Sequence, residues 1–248
     1  WHRGRGYSYP FGLMKSPRYV LSAVAGKLRS LAGRPSQSAA DHYRNQYGRK
    51  LADEIAVVKK LGGSFIVTGG EGAWKGLTPE QLKANVKGFV EKMKPHAALA
   101  AENGVSIGIE NHVNNLIDTP DSLRWLADEI RTMPGIGIAL APYHLPQDTK
   151  LLSDLIRHID QKMTLFYAWE HGKGCMKPMP KEEELQQMPG RGPLDWKPLL
   201  DALKAMNFTG PTEIFMHPTP RGIPILPTAA ETTAEIVRAK QHLDKLVG

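Results

Sequence analysis

Glutamate and histidine recur where short apolar runs end in this 248-residue chain, and its chemistry is expected there. The first run is Ser106-Ile107-Gly108-Ile109-Glu110-Asn111-His112. Side chains alternate faces along a strand, so Ile107 and Ile109 share one face while Gly108, Glu110 and His112 share the other. A carboxylate two residues before an imidazole suits a divalent metal or proton transfer. The bland alternative is that Glu110 caps a turn or pairs with a lysine. In the second run, Ile136 to Ala141, the inward Gly137, Ala139 and Ala141 are small and leave room for a ligand, and His144 follows just past the end. The third run, Met163 to Trp169, leads into Glu170-His171-Gly172-Lys173-Gly174. Glu170 and His171 are adjacent, so on a regular strand only one of them points inward. In the fourth, Glu213, Phe215 and His217 share a face, with Glu213 deeper. A carboxylate inside a barrel must be paired, protonated or bound to metal. Arg221, in the next loop, could hold a carboxylate, a phosphate or a sugar hydroxyl. Trp74, Trp169 and Trp196 are candidate walls for a sugar ring, although core packing is the commoner fate of a tryptophan.

These residues need elements to hold them. Strands are expected over Ser64–Thr68, Val105–Glu110, Ile136–Ala141, Met163–Trp169 and Thr212–Met216. Helices are expected between them. Thr78-Pro79-Glu80-Gln81 and Thr228-Ala229-Ala230-Glu231 have the form of capping boxes, and Thr119-Pro120-Asp121 opens another helix. Further helices are expected over Tyr19–Leu31, Ala39–Leu61, Asp148–Ile159 and Leu194–Met206. Such alternation predicts an α/β fold with a parallel sheet. No G-x-G-x-x-G turn or phosphate-loop lysine motif follows the first strand, which disfavours a nucleotide-binding sheet. The polar clusters at strand ends favour a TIM (β/α)8-type barrel. Five strands do not close such a barrel, so the expectation is a single domain over residues 1–248 that is incomplete at its N-terminal side, with 1–38 irregular. A partner chain, such as a second copy in a homo-oligomer, would then cover an exposed strand edge.

Composition narrows the classes. The chain is 41% hydrophobic and 23% charged, which excludes disordered and collagen-like chains. No apolar run approaches the roughly 20 residues that span a bilayer. The single cysteine, Cys175, excludes an intrachain disulfide and a thiolate zinc site. The expected compartment is the cytoplasm, with no signal-peptide pattern in view. The net charge of +7 is scattered along helices, as a solvated surface rather than a nucleic-acid footprint.

Two stretches carry a resemblance. "AALAAENGVSIGIEN", Ala97 to Asn111, ends a helix and enters a strand finishing in Glu-Asn, and "GRGPLDWKPLLDALKAMNFTG" covers Gly190 to Gly210. Together they resemble the xylose isomerase-like TIM-barrel superfamily of sugar isomerases, ketose 3-epimerases and metal-dependent endonucleases, from about Ala39 onward. The resemblance implies a divalent ion (Mn, Mg, Co or Zn) at the barrel mouth and two glutamates as acid and base. Glu110 matches the first. The family's Asp after the next strand is Ala141 here, while its His is His144. The inward His of the following strand falls near Ala168, with His171 slightly later, and the terminal Glu is served by Glu213 or His217. The implied ligands are therefore Glu110, His144, His171 and His217, with Glu110 and Glu213 catalytic. His112, Glu170, Arg221 and Trp169 are expected to bind substrate. The implied activity is a sugar or sugar-phosphate isomerase or epimerase. A keto-sugar lyase or hydratase, a metal-dependent endonuclease and a non-catalytic carbohydrate-binding protein are the alternatives. Ala141 in place of Asp argues against the endonuclease.

Overall fold

The computed structural model describes residues 2–3, 51–72, 74–172, 179–218 and 223–247. Within these, six parallel strands lie side by side in chain order. They are β1 (His2–Arg3), β2 (Phe65–Gly69), β3 (Ser106–Glu110), β4 (Ile136–Leu140), β5 (Met163–Ala168) and β6 (Thr212–Ile214). The helices are α1 (Leu51–Lys60), α2 (Pro79–Glu102), α3 (Pro120–Glu129), α4 (Thr149–Ile159), α5 (Lys197–Ala205) and α6 (Ala229–Val247). The expected helix at Tyr19–Leu31, and Arg221 and Cys175, lie outside the described residues, as does nearly all of the expected irregular segment 1–38. Among the described residues no helix is long and apolar enough to cross a membrane.

Local chemistry explains the helix starts. Thr78 accepts from the Gln81 backbone N–H at 3.3 Å, and Gln81 Oε1 accepts from the Thr78 N–H at 2.9 Å. At α3 the third residue of the box is Ser122, whose N–H donates to Thr119 Oγ1 at 3.1 Å. Helix α5 begins three residues later than its apolar pattern suggests, because Leu194 and Trp196 are held by Glu170.

The strands divide two cores. Ile107, Ile109, Ile138, Leu140, Phe166 and Ala168 pack against the helices. Val67, Ala139, Ala141, Leu165, Tyr167 and Trp169 form a separate inner cluster. The expected alternation therefore holds on β3 and β4. On β5 it shifts. Ile138 pairs with Met163 and Ala139 with Leu165, so Thr164 is an extra residue in a bulge. It lies under Gly108 and Gly137: a Cβ on Gly137 would come 2.2 Å from Thr164 Oγ1. Beyond the bulge, Tyr167 and Trp169 face inward and Ala168 faces the helices, which corrects the expectation of an inward position near Ala168.

Two glycines, one in the turn before β4 and one inside α2, have opposite roles. Gly135 has φ +70, and a Cβ there would lie 2.1 Å from the Ala97 carbonyl oxygen. Gly88, inside α2, has nothing within 4 Å of its would-be Cβ. Gly135→Ala should destabilise the chain by about 3 kcal/mol. Gly88→Ala should stabilise it by about 0.5–1 kcal/mol. Urea denaturation of both variants tests the pair; equal effects would show that the α2–β4 approach is not constrained.

Candidate active site

The carboxyl ends of β3 to β6 converge on a cluster of carboxylates, imidazoles and aromatic rings. Glu110 ends β3 and is buried. The turn Pro142–His144 after β4 supplies Tyr143 and the buried His144. The end of β5 supplies Tyr167, Trp169 and His171, all buried. From β6 onward come Glu213, Phe215 and His217, each half-buried.

Rings interleave throughout. Tyr143 stacks on Trp169 with centroids 3.7 Å apart and planes 12° from parallel. Tyr143 meets His144 edge-on at 5.2 Å and His171 at 4.7 Å. Trp169 meets His144 edge-on at 5.3 Å and stacks with His217 at 5.7 Å. His112 lies 4.2 Å from His144, centroid to centroid. The structure thus brings together His112, His144, Trp169, His171 and His217, all expected from the sequence, and adds Tyr143.

Tyr167 lies within reach of the charges of both Glu110 and Glu213. It stands across from Glu213 in the β5–β6 register. Burial, with the charges of Glu110 and Glu213 adding to it, pushes its phenol far up, so it remains a neutral hydroxyl at any ordinary pH.

Two glutamines and an asparagine hold the loops. Asn111 accepts from the Ala141 N–H at 2.7 Å and donates back to the Ala141 carbonyl at 2.9 Å, tying the ends of β3 and β4. Gln147 donates to the Pro142 and Leu145 carbonyls, each at 2.8 Å, and accepts from the His171 N–H at 3.0 Å. Gln187, in a short turn of 3-10 helix (Lys181–Gln187), accepts from Trp169 Nε1 at 2.8 Å and from the His217 N–H at 2.6 Å. Sequence reasoning missed both glutamines. Gln187 follows Lys181-Glu182-Glu183-Glu184, which reads as a solvated loop. Asp118 accepts from Trp74 Nε1 and, at 2.8 Å, from the Asn114 N–H, fixing the loop beside His112. Burial raises its pKa.

Glu170, expected to bind substrate, has another task. One carboxylate oxygen accepts from the Leu194 N–H at 2.8 Å and the other from Trp196 Nε1 at 3.0 Å. It fastens the Gly190–Gly210 stretch to the end of β5, and Trp196 is a core residue rather than a sugar wall.

Among the described residues no three His, Cys, Asp or Glu side chains form a group that could hold a metal ion. The physical reason is visible in the rings: Tyr143 contacts His144, His171 and His217 in turn, and Trp169 contacts both His144 and His217. The inward β4 position that would carry a carboxylate is the methyl of Ala141.

A family model described as the xylose isomerase-like TIM barrel matches residues 22–241. The chain belongs to this family. Its sheet order, inner cluster and strand-end site agree with that membership. No curated protein sequence matches it significantly. Among solved structures, D-psicose 3-epimerase with D-tagatose from Clostridium cellulolyticum H10 is similar, with TM-score 0.60, 16% identity, and 85% of this chain and 73% of that one covered. The IolI protein with a bound zinc atom has TM-score 0.58 and 16% identity over 79% of this chain and 67% of that one. The 3-keto-D-glucoside 4-epimerase from E. coli has TM-score 0.56 and 15% identity over 77% and 69%. At such identities the likeness is one of fold.

Burial raises the Glu170 pKa to about 7, against the pull of the Trp196, Leu194 and Gly192 N–H donors. From about pH 4.5 to 7 the folded chain holds a proton there that the unfolded chain has lost. Stability should therefore be greatest below this window, fall by roughly 3 kcal/mol at most as pH rises through it, and stay level above. Urea unfolding of wild type and Glu170→Gln at pH 5 and pH 8 checks this. The wild type alone should show the difference between the two pH values, and an equal slope in both would assign it to other groups.

Proposed function

We propose that this chain is a sugar isomerase or epimerase-like enzyme that moves a proton on the carbon next to a carbonyl in a small keto-sugar. The observation that carries this reading is the pair of carboxylates, Glu110 and Glu213, acting on one buried phenol at the strand ends. One glutamate, as carboxylate, would remove the proton, leaving an enediol-type intermediate, and the other, in its protonated acid form, would give a proton to the opposite face, the pair ending with their roles exchanged. His112, His144, His171 and His217 supply N–H donors that can hold the carbonyl oxygen as charge develops on it. Tyr143, half-buried and backed by the buried ring of Trp169, offers an apolar face to the C–H side of a sugar ring. Family membership supports the reading, and the neighbours named as 3-epimerases and a 4-epimerase supply the substrate class. The divalent ion implied by the resemblance has no step in this scheme, since the ligand set expected for it is interrupted by rings.

One observation favours a second reading, a carbohydrate-binding chain without turnover. Tyr143 and Trp169 stack on each other, so part of the aromatic wall is already covered.

The test is proton exchange. Wild-type protein incubated in D2O with D-tagatose or D-fructose should place deuterium next to the carbonyl, read by NMR. Glu110→Gln should lower that rate at least about 1000-fold, as expected when a group that transfers the proton is removed. Sugar binding without any exchange would favour the second reading. Trp169→Ala should weaken sugar binding about tenfold in calorimetry by removing the ring that holds Tyr143 in place.

A further inference from the structure

We infer that the site of this chain works without a divalent ion, and that Tyr167 is the positioning residue standing where the ion would be needed. The inference rests on the reading of the strand ends as a keto-sugar site. Three observations carry it.

The first is placement. Tyr167 is 1% exposed, pairs across from Glu213, and feels the charges of both Glu110 and Glu213. Two carboxylates gathered about one buried position need a proton donor or a positive group there. A buried phenol paired beside Glu213 is a hydrogen-bond donor held at that point by its strand. It orients carboxylates without demanding the several oxygen and nitrogen donors that a hard cation requires.

The second is the lining. The bulge at Thr164 turns Tyr167 and Trp169 inward, beside the methyl groups of Ala139 and Ala141 and the ring of Phe215. An ion bound by Glu110 would meet hydrocarbon on these sides. A cation loses hydration there with nothing to replace it.

The third is the spacing of the imidazoles. Tyr143 and Trp169 occupy the ground between His144, His171 and His217. Rings at stacking distance leave no common point at which three imidazole nitrogens could meet one ion.

The experiment is titration of the whole purified chain, stripped with EDTA and dialysed, with Mn2+ and then Co2+ by calorimetry, backed by elemental analysis. No saturable binding is expected in wild type. One ion per chain that disappears in Glu110→Gln would overturn the inference. A gain-of-function arm supplies the missing donors: Ala141→Asp combined with Tyr167→His should bind about one ion per chain if the two positions are what exclude it. A folded double variant that binds none would overturn the assignment of Tyr167 to the ion's place; if it does not fold, the wild-type titration decides alone. Tyr167→Phe keeps the ring and removes the hydroxyl. We expect deuterium exchange to fall at least tenfold with KM and melting temperature unchanged, whereas a merely structural role would lower the melting temperature and leave exchange intact. Failure of the two ideas is distinguishable: metal-free protein with no exchange on any keto-sugar sinks the isomerase reading alone, and exchange that needs Mn2+ sinks the ion-free site alone.

Discussion

Opposite Ile138 and Ala139, β5 carries Met163, Thr164 and Leu165, one residue more than the pleat can use, and the inner surface of the sheet depends on how that excess is absorbed. Thr164 takes it up by dropping into space that Gly108 and Gly137 leave without side chains. From there on the alternation of β5 is displaced by one. Tyr167 and Trp169 turn into the interior, and Phe166 and Ala168 turn out onto the helices. In a regular pleat starting from an outward Met163, the inward places would fall to Thr164, Phe166 and Ala168 instead. The phenol facing the two carboxylates and the indole that stacks with Tyr143 both follow from this one irregularity, which agrees with the tendency of bulges to re-aim side chains beside functional sites.

The loops that complete the site are held by buried and half-buried polar groups with specific partners. Asn111 returns both hydrogen bonds of the Ala141 peptide, so the end of β3 cannot move without the end of β4. Gln147 binds the Pro142–His144 turn to the backbone of His171, and Gln187 joins Trp169 to His217. Glu170 anchors the approach to α5. Buried amides of this kind are costly when left unsatisfied and rigidifying when satisfied. They give each ring one position, and this lets four strand ends supply a single arrangement of imidazoles and aromatics rather than a mobile set.

The family's fold places its chemistry at the carboxyl ends of parallel strands, and this chain keeps that placement while changing what stands there. Glu110 occupies its strand end as the resemblance implies. The neighbouring inward positions carry a methyl at Ala141, a phenol at Tyr167 and a ring at Phe215. At Ala141, where the resemblance implies an aspartate, a methyl group takes the place of a charge, and the two rings add apolar surface beside it. A shared scaffold with an altered lining is how one fold comes to support different chemistries, and it is why the fold alone does not name the reaction.

Much of this was legible in the sequence. Apolar runs of strand length, the Thr78 and Thr119 caps, and the glycine breaks are local signals, so the order of strands and helices followed from them. Alternation on β3 and β4 sent Glu110 and Ala141 inward and Ile109 and Leu140 outward, since nothing interrupts the pleat there. The histidines after each strand were likewise marked by position alone. What only the tertiary structure decided has a common cause: it depends on residues far apart in the chain. The bulge exists because two glycines on other strands make room for Thr164. Glu170 turned from a substrate ligand into an anchor because Trp196 folds back onto it. Tyr143 and Trp169, from different strand ends, stack on each other in the midst of the imidazoles, a contact that no spacing along the chain announces. Spacing along a chain reports which face a side chain takes, while the neighbours it meets on that face are set by packing between strands.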